Sequence, residues 1–485
     1  MTEHVDVLIV GAGLSGIGAA AQLTRTQPGR SYVVLEARAT SGGTWDLFRY
    51  PGIRSDSDMF TLGYRFRPWR GERSLAPGAA ILDYVRETAR EYHVERHIRY
   101  DHRVVSADWD SATARWRIVA EHAGDRVELT CGFLWSCAGY YDYDAGYTPE
   151  MPGLDRFTGP VVHPQHWPPD LEYAGKQVLV VGSGATAVTL VPALALGLEG
   201  PAAGHVTMLQ RSPTYVLSLP GRDALAQTAR RRLPAKAAYQ VVRWKNILVS
   251  AGFYRLARRR PALVRRMIRK ATVQALPEGY PVDVDFNPRY DPWDQRLCFV
   301  PDADLFRAIS QGRADVVTGT IDTFTEGGVR LASGRELAAD VVVTATGLTL
   351  VPFGKVRLSV DGVPVDLSAT MAYRALMLSG VPNFVFTIGY TNASWTLKAD
   401  LVAEFVCRLL DHLDRHGYRS VVPVRDPSVA EAPFMDFSAG YVLRALDRLP
   451  RQGSREPWRL QQSYLHDRRT LRHADLDDAA LAFTR

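Results

Sequence analysis

The chain has 485 residues, 46% of them apolar and 23% charged, with a formal net charge of +6. That length leaves room for about two to three domains around a large buried core, and the balance is that of an ordinary soluble globular protein. No apolar run approaches the roughly 18 residues of a membrane-spanning helix. The first apolar run lacks a basic segment before it, which argues against a signal peptide. Cys131, Cys137, Cys298 and Cys407 show neither a Cys-x-x-Cys pair nor zinc spacing. Free thiols in a reducing cytoplasm are the expectation. The net charge hides an asymmetry: residues 222–270 carry fifteen Lys/Arg and one acid, Asp223, a net +14 that leaves −8 for the rest.

Residues 5–10 read as a short β-branched strand ending in Gly11-Ala12-Gly13-Leu14-Ser15-Gly16, with an Ala-rich helix after it. Gly11 permits a tight turn, Gly13 lets a pyrophosphate approach the backbone, and Gly16 lets helix and strand pack closely. A second strand over residues 31–36 ends in Glu36, twenty residues beyond Gly16 and placed to take ribose hydroxyls. Strand, glycine turn, helix and distal acid together predict a dinucleotide-binding unit. Residues 43–56 follow as a loop of small residues and one aromatic, Gly43-Thr44-Trp45, able to cover a flat ring; it ends in a charged Arg54/Asp56 pair. Ser15, Leu47 and Val104 are counted with these residues as cofactor-binding. Residues 81–92 have helical apolar spacing, and residues 103–138 alternate as a β-meander.

A second unit begins with a buried-type strand, residues 177–181, running into Gly182-Ser183-Gly184-Ala185-Thr186-Ala187. At the position equivalent to Glu36 stands Gln210, followed by Arg211 and Ser212. A carboxylate there would repel a 2′-phosphate, whereas a guanidinium and a hydroxyl would bind it, so this unit is expected to prefer NADPH to NADH. After the basic stretch, residues 340–347 predict another apolar strand. Residues 389–410 read as a strand end, a polar turn and an amphipathic helix. The helix N-terminus offers amide donors to negative charge on a bound cofactor. The expected class is α/β, with two Rossmann-like dinucleotide-binding domains, the second inserted in the first. The expected boundaries are 1–145 and 346–485 for the first nucleotide-binding domain, 156–215 and 292–345 for the second, NADP-binding one, and 216–291 for a basic helical insert.

The segment between the two glycine turns reads Phe157-x-Gly159-x-x-x-His163-x-x-x-Trp167-Pro168. This spelling, together with Gly-x-Trp-x-x-x-x-Tyr-Pro-Gly-x-x-x-Asp over residues 43–56, resembles the Baeyer–Villiger flavin monooxygenases, and end to end most resembles their ethionamide-activating subgroup. The resemblance implies FAD, NADPH and O2 as reactants. It implies addition of O2 at flavin C4a, oxidation of ketones to esters or lactones, and S-oxygenation of sulfides and thioamides. In that family the linker couples the two cofactor domains. Arg296, in Asp291-Pro292-Trp293-Asp294-Gln295-Arg296-Leu297, matches by place the family's active-site arginine, and Asp56 is the carboxylate expected to pair with it. A fixed guanidinium in a dry site stabilises the anions of that chemistry. Gln295 departs from the pattern: many relatives carry Lys there, contacting the 2′-phosphate. His163-x-x-His166 is not read as a metal site, because Pro164 breaks the helix that would align the pair and no third ligand lies nearby.

An N-hydroxylating or S-oxygenating flavin monooxygenase without Baeyer–Villiger activity is the alternative. A disulfide reductase would need a Cys-x-x-x-x-Cys pair beside the flavin, and Cys131 and Cys137 have five residues between them. The expected partner is a small ketone or a sulfide or thioamide, with no nucleic acid. The basic stretch reads as a solvated helical insert or as a peripheral contact with anionic lipid at the inner face of the membrane, Trp244, Phe253 and Tyr254 serving as interfacial groups.

Overall fold

The structure, a computed structural model, describes residues 2–473 and 475–485. Its first sheet is built on Glu3–Val10, whose β-branched residues are buried on both faces. This strand pairs in parallel with Tyr32–Leu35 on one side and with the long strand Asp125–Ser136 on the other. The long strand belongs to two systems: its first half closes an antiparallel meander with Arg115–His122 and Arg103–Asp110, and its end pairs in parallel with Phe384–Phe386. Arg357–Val360 then adds to Arg103–Asp110. The chain thus returns to this sheet after leaving it for some 200 residues. Helices Leu14–Thr26, Gly78–Glu91 and Trp395–His416 join one core with the face bearing Val7, Ile9, Phe133 and Trp135.

Between these passes lies a second, five-stranded parallel sheet in the order Ala314–Thr318, His205–Gln210, Gln177–Val181, Val341–Thr344, Val161–Val162. The two glycine turns solve the same steric problem. Gly11 (φ +99) and Gly182 (φ +137) lie where an L side chain is strained. A Cβ would come 2.9 Å from the Cys137 carbonyl oxygen in the first and 2.2 Å from the Ala345 carbonyl oxygen in the second. In each sheet the glycine turn abuts the end of the next parallel strand, so the crevice above it stays open to a ligand backbone.

The basic region opens on a strand, Val216–Leu219, paired with Cys298–Pro301, before helices Ala224–Arg232, Ala235–Arg259 and Pro261–Ala275. Its longest helix is not simply solvated. Arg243, 2% exposed, donates to the carbonyls of Phe60 and Gly63 (both 2.8 Å), and its other terminal nitrogen lies 3.3 Å from the Asp400 carboxylate. Asn246 donates to Asp58 at 2.8 Å. The aromatics expected at a lipid interface face protein instead. Trp244 packs on Tyr464 beneath Arg468, Tyr254 lies edge-on to Trp293, and Phe253 joins the cluster of Tyr215, Val264 and Leu297. Helical periodicity decides this: the face carrying Arg243 and Ile247 must cover residues 58–63, and Trp244 lies beside it. Leu248, Val249 and Met267 are the most exposed of several exposed apolar residues on the helices at 224–275, at 54%, 62% and 51%. Among the described residues no helix is long and apolar enough to cross a membrane.

Candidate active site

A cavity of about 370 Å³ lies where the first glycine turn faces the second unit, within the range of small-molecule and cofactor sites. Its wall brings together Gly11, Gly13, Ser15, Glu36, Gly43, Thr44, Trp45, Arg54, Asp56, Val104, Ala185, Thr186 and Arg296. Three groups of expected residues lie elsewhere. Gly16 packs under the turn, where a Cβ would sit 1.8 Å from the Gly11 carbonyl oxygen. Leu47 ends the single-turn helix Thr44–Leu47, about 200° around from Trp45 and so turned away from the cavity. Of the second glycine turn only Ala185 and Thr186 reach this wall; Gly182, Ser183, Gly184, Arg211 and Ser212 lie off it, and Ala187 is buried in the second unit's core.

Glu36 is 5% exposed, and its two oxygens accept the backbone N–H groups of Ala12 (2.7 Å) and Arg38 (3.0 Å). Burial raises its carboxyl pKa, and those two hydrogen bonds oppose the rise. A carboxylate accepts about four hydrogen bonds, so two remain for ribose hydroxyls. The covering loop is held by Asp46, a residue that sequence reading did not single out. Its side chain is 1% exposed and meets Arg38 (2.6 Å), Arg49 (2.7 Å) and Arg86 (2.8 Å).

The loop then runs extended past Pro77, and alternate residues of extended chain face one side. Arg54 and Asp56 therefore both point at the second unit, and the turn at Gly52 (φ +79) just before them turns its backbone N–H the same way. The Gly52 N–H donates to Glu199 (2.9 Å), Arg54 donates to Asp304 (2.7 Å), and Asp56 meets Arg296. Asp56 thus meets Arg296 as expected, while Arg54, its neighbour in the loop, finds its own partner, Asp304, across the gap. The Arg54–Asp304 bridge is buried, at 8% and 4% side-chain exposure. Arg54 Nε and Nη2 have no acceptor among the described residues.

Arg296 is 36% exposed and lines the cavity. The Asp56 carboxylate raises its pKa further, so it is a permanent cation. Around it stand Tyr140, Tyr141 and Tyr441, whose hydroxyl pKa values burial raises while the charge on Arg296 opposes the rise. The Tyr140 and Tyr141 hydroxyls lie 3.2 Å apart. Tyr441 arrives from the chain beyond residue 425, where sequence patterns are silent. Ser438 ties that segment to the arginine loop, donating through N–H (3.0 Å) and Oγ–H (2.8 Å) to the Asp294 carbonyl. The doublet Tyr140-Tyr141 directly after a strand-ending glycine was a readable signal; Tyr441 had none.

At the second turn, Ser183 Oγ–H donates to the Ser212 carbonyl (3.1 Å), and Arg211 and Ser212 are exposed beside it. A Cβ on Gly184 would meet nothing within 4 Å, leaving that crevice open. Gln210 turns inward, donating to the Asp285 carbonyl (2.8 Å) and Thr318 Oγ1 (2.9 Å). The linker residues are away from the cavity. Phe157 is buried under the second sheet, and at Gly159 a Cβ would come 2.3 Å from the Asp340 carbonyl oxygen. His163 Nε2 hydrogen-bonds the Gly347 carbonyl (3.1 Å), and Trp167, before Pro168, packs edge-on to Tyr173. His163 thus pins the outgoing linker to the returning strand. Among the described residues no cluster of His, Cys, Asp or Glu could hold a metal.

The donors and cradles suit two nucleotides: a glycine turn with a buried acid, a second with an exposed arginine and hydroxyl, and two unpaired guanidinium N–H groups at the wall between them. Residues 9–69 match the family model of NAD(P)-binding Rossmann-like domains, and residues 75–222 match that of flavin-binding monooxygenase-like proteins. The chain is 56% identical over 486 positions to the FAD-containing monooxygenase EthA of Mycobacterium tuberculosis, covering 100% of this chain and 99% of that protein. It is 46% identical to the probable FAD-binding monooxygenase AlmA of Acinetobacter baylyi, with 100% and 97% covered. Among solved structures, an oxidized steroid monooxygenase bound to NADP shares the fold at TM-score 0.72 and 23% identity, covering 87% of this chain and 88% of that one. Cyclohexanone monooxygenase does so at 0.73 and 20%, covering 87% and 90%. The chain belongs to the family of FAD-containing monooxygenases.

Proposed function

We propose that the protein is a Baeyer–Villiger monooxygenase, using FAD, NADPH and O2 to convert ketones to esters or lactones and to oxygenate sulfides and thioamides at sulfur. The observation that carries this reading is the Arg296–Asp56 pair at the cavity wall, where the flavin-side loop meets the second unit. Bound FAD and NADPH supply the hydride and the site of O2 activation. The chain supplies binding, orientation and charge. Gly11, Gly13, Ser15, Glu36, Gly43, Thr44, Trp45 and Val104 hold FAD, with Arg54 at the edge nearest the second unit. Gly182, Ser183, Gly184, Ala185, Thr186, Arg211 and Ser212 hold NADPH, while Ala187 lets its helix pack. Arg296, oriented by Asp56, faces the atoms where negative charge develops during attack on a carbonyl. The amides of the first helical turn at Trp395 would offset negative charge on a bound flavin, and the Trp395 indole N–H donates to Ser15 Oγ (2.7 Å).

A panel of linear, cyclic and aryl ketones and sulfides, with NADPH consumption and products measured, tests the reading. Ester or lactone formed in step with NADPH supports it. Sulfoxide without ester from any ketone would establish the alternative, an S-oxygenating flavin monooxygenase. A surface role accompanies the catalytic one: the helices at 235–275 lie against anionic lipid from outside, through Leu248, Val249 and Met267 set among their arginines.

A further inference from the structure

We propose that the C-terminal stretch 462–467 belongs to the flavin site, with Gln462 and Asp467 as positioning residues that hold the loop 389–394 against the cofactor. The assignment rests on the reading above that this loop and the helix after it face the flavin. Tyr390, Ala393 and Trp395 line the main cavity, and the loop carrying them has few bonds of its own. Four hydrogen bonds fasten it from behind. Gln462 Oε1 accepts the Thr391 N–H (3.1 Å) and the Thr391 hydroxyl (3.3 Å), and the Gln462 carbonyl accepts Asn392 Nδ2–H (2.9 Å). Asp467 Oδ2 accepts the Tyr390 hydroxyl (2.7 Å). Gln462 makes its bonds from a left-handed backbone conformation, φ +46. A non-glycine residue bears that strain only where its surroundings impose it.

Asp467 is also the partner of Lys398, at 2.8 Å, with side chains 12% and 4% exposed. A pair taken so far out of water gains little over apolar residues of the same volume, because desolvation offsets the attraction. Stability alone does not account for it; orientation does. Lys398 stands one turn into the helix Trp395–His416 and also donates to the Arg374 carbonyl (3.2 Å). With Asp467 it fixes the Tyr390 hydroxyl on the side away from the flavin. Tyr390 is the partition between the main cavity and a small second one, walled by Lys398, Phe434, Met435, Leu460 and Asp467. The ring therefore faces the cofactor and the hydroxyl faces the clamp. Burial keeps that hydroxyl protonated, as a donor to Asp467 must be.

The test is FAD affinity, measured by quenching of flavin fluorescence on adding FAD to apoprotein, with thermal unfolding of the same apoproteins alongside. Gln462→Ala removes the one side-chain oxygen that accepts both Thr391 bonds and is expected to weaken FAD binding about tenfold, the worth of one to two net hydrogen bonds. Gln462→Glu keeps an acceptor and should return affinity to within a few fold of the parent. Tyr390→Phe keeps the ring and loses the bond to Asp467, for a loss of several fold. Apoprotein unfolding should be nearly the same in all four. Parent affinity in both Gln462→Ala and Tyr390→Phe overturns the assignment, and so does Gln462→Glu behaving as the alanine variant. A fall in affinity matched by apoprotein destabilisation also overturns it, as a fold effect. Parent protein that binds no FAD refutes the functional reading beneath it, a different result from tight parent binding with indifferent variants.

Discussion

Replacing Arg296 by alanine is the sharpest test of the site. In the parent the Arg296–Asp56 pair is net neutral, and the half-buried Arg296 side chain lines the cavity. Alanine removes the cation and leaves the Asp56 carboxylate alone, so the local charge falls by one unit where a further negative charge must form. At about 6 Å and an effective dielectric near 20, one unit of charge is worth about 3 kcal/mol. Loss of one preorganised donor to a reaction anion costs about 2.7–4 kcal/mol, and the two figures agree. Oxygenation of a ketone should fall about a hundredfold to a thousandfold. Flavin reduction by NADPH does not form the anion of attack on the carbonyl and should slow far less. The variant should bleach its flavin, consume NADPH slowly and release hydrogen peroxide in place of ester. Adding Asp56→Asn removes the stranded carboxylate and should recover part of the loss. The assay follows NADPH, peroxide and ester in one reaction mixture. Ketone oxygenation at the parent rate in Arg296→Ala would refute the reasoning and move the catalytic cation to Arg54.

Arg211→Ala should raise the KM for NADPH about tenfold or more while leaving that for NADH nearly unchanged, since only the former carries a phosphate for the guanidinium; equal shifts would remove the 2′-phosphate from Arg211. Asp46→Ala strands three arginines at the covering loop and should cost about 3 kcal/mol in thermal or denaturant unfolding, at the lower end for a broken buried pair because the arginines reach solvent. Unchanged unfolding would show that the loop is held by other contacts. Co-sedimentation of the parent with anionic vesicles should weaken with salt and be lost in the double variant Leu248→Glu/Val249→Glu. If the parent stays in solution with such vesicles even at low salt, the insert serves only the fold.

The two nucleotide units were legible from the chain alone because their causes are local. A glycine at φ +99 or +137, a β-branched strand before it and a small-residue helix after it are properties of a dozen adjacent residues. The change from Glu36 to Gln210-Arg211 is a matter of side-chain type at a fixed offset. The family spelling of residues 43–56 and 157–168 likewise marked the covering loop and the linker. What the chain did not disclose are the partners that meet across it. Arg54 is separated from Asp304 by 250 residues, and Asp56 from Arg296 by 240. A charged side chain in an extended loop can reach either of two neighbours, and only the approach of the second unit decides which. The same holds for Arg243, whose helix reads as a basic insert until its one buried face is seen on residues 58–63, and for Tyr441, Gln462 and Asp467, which carry no periodic or motif signal. Periodicity reports which face of an element is buried, whereas the identity of what buries it is set by tertiary packing, and in this protein the site is built at that contact.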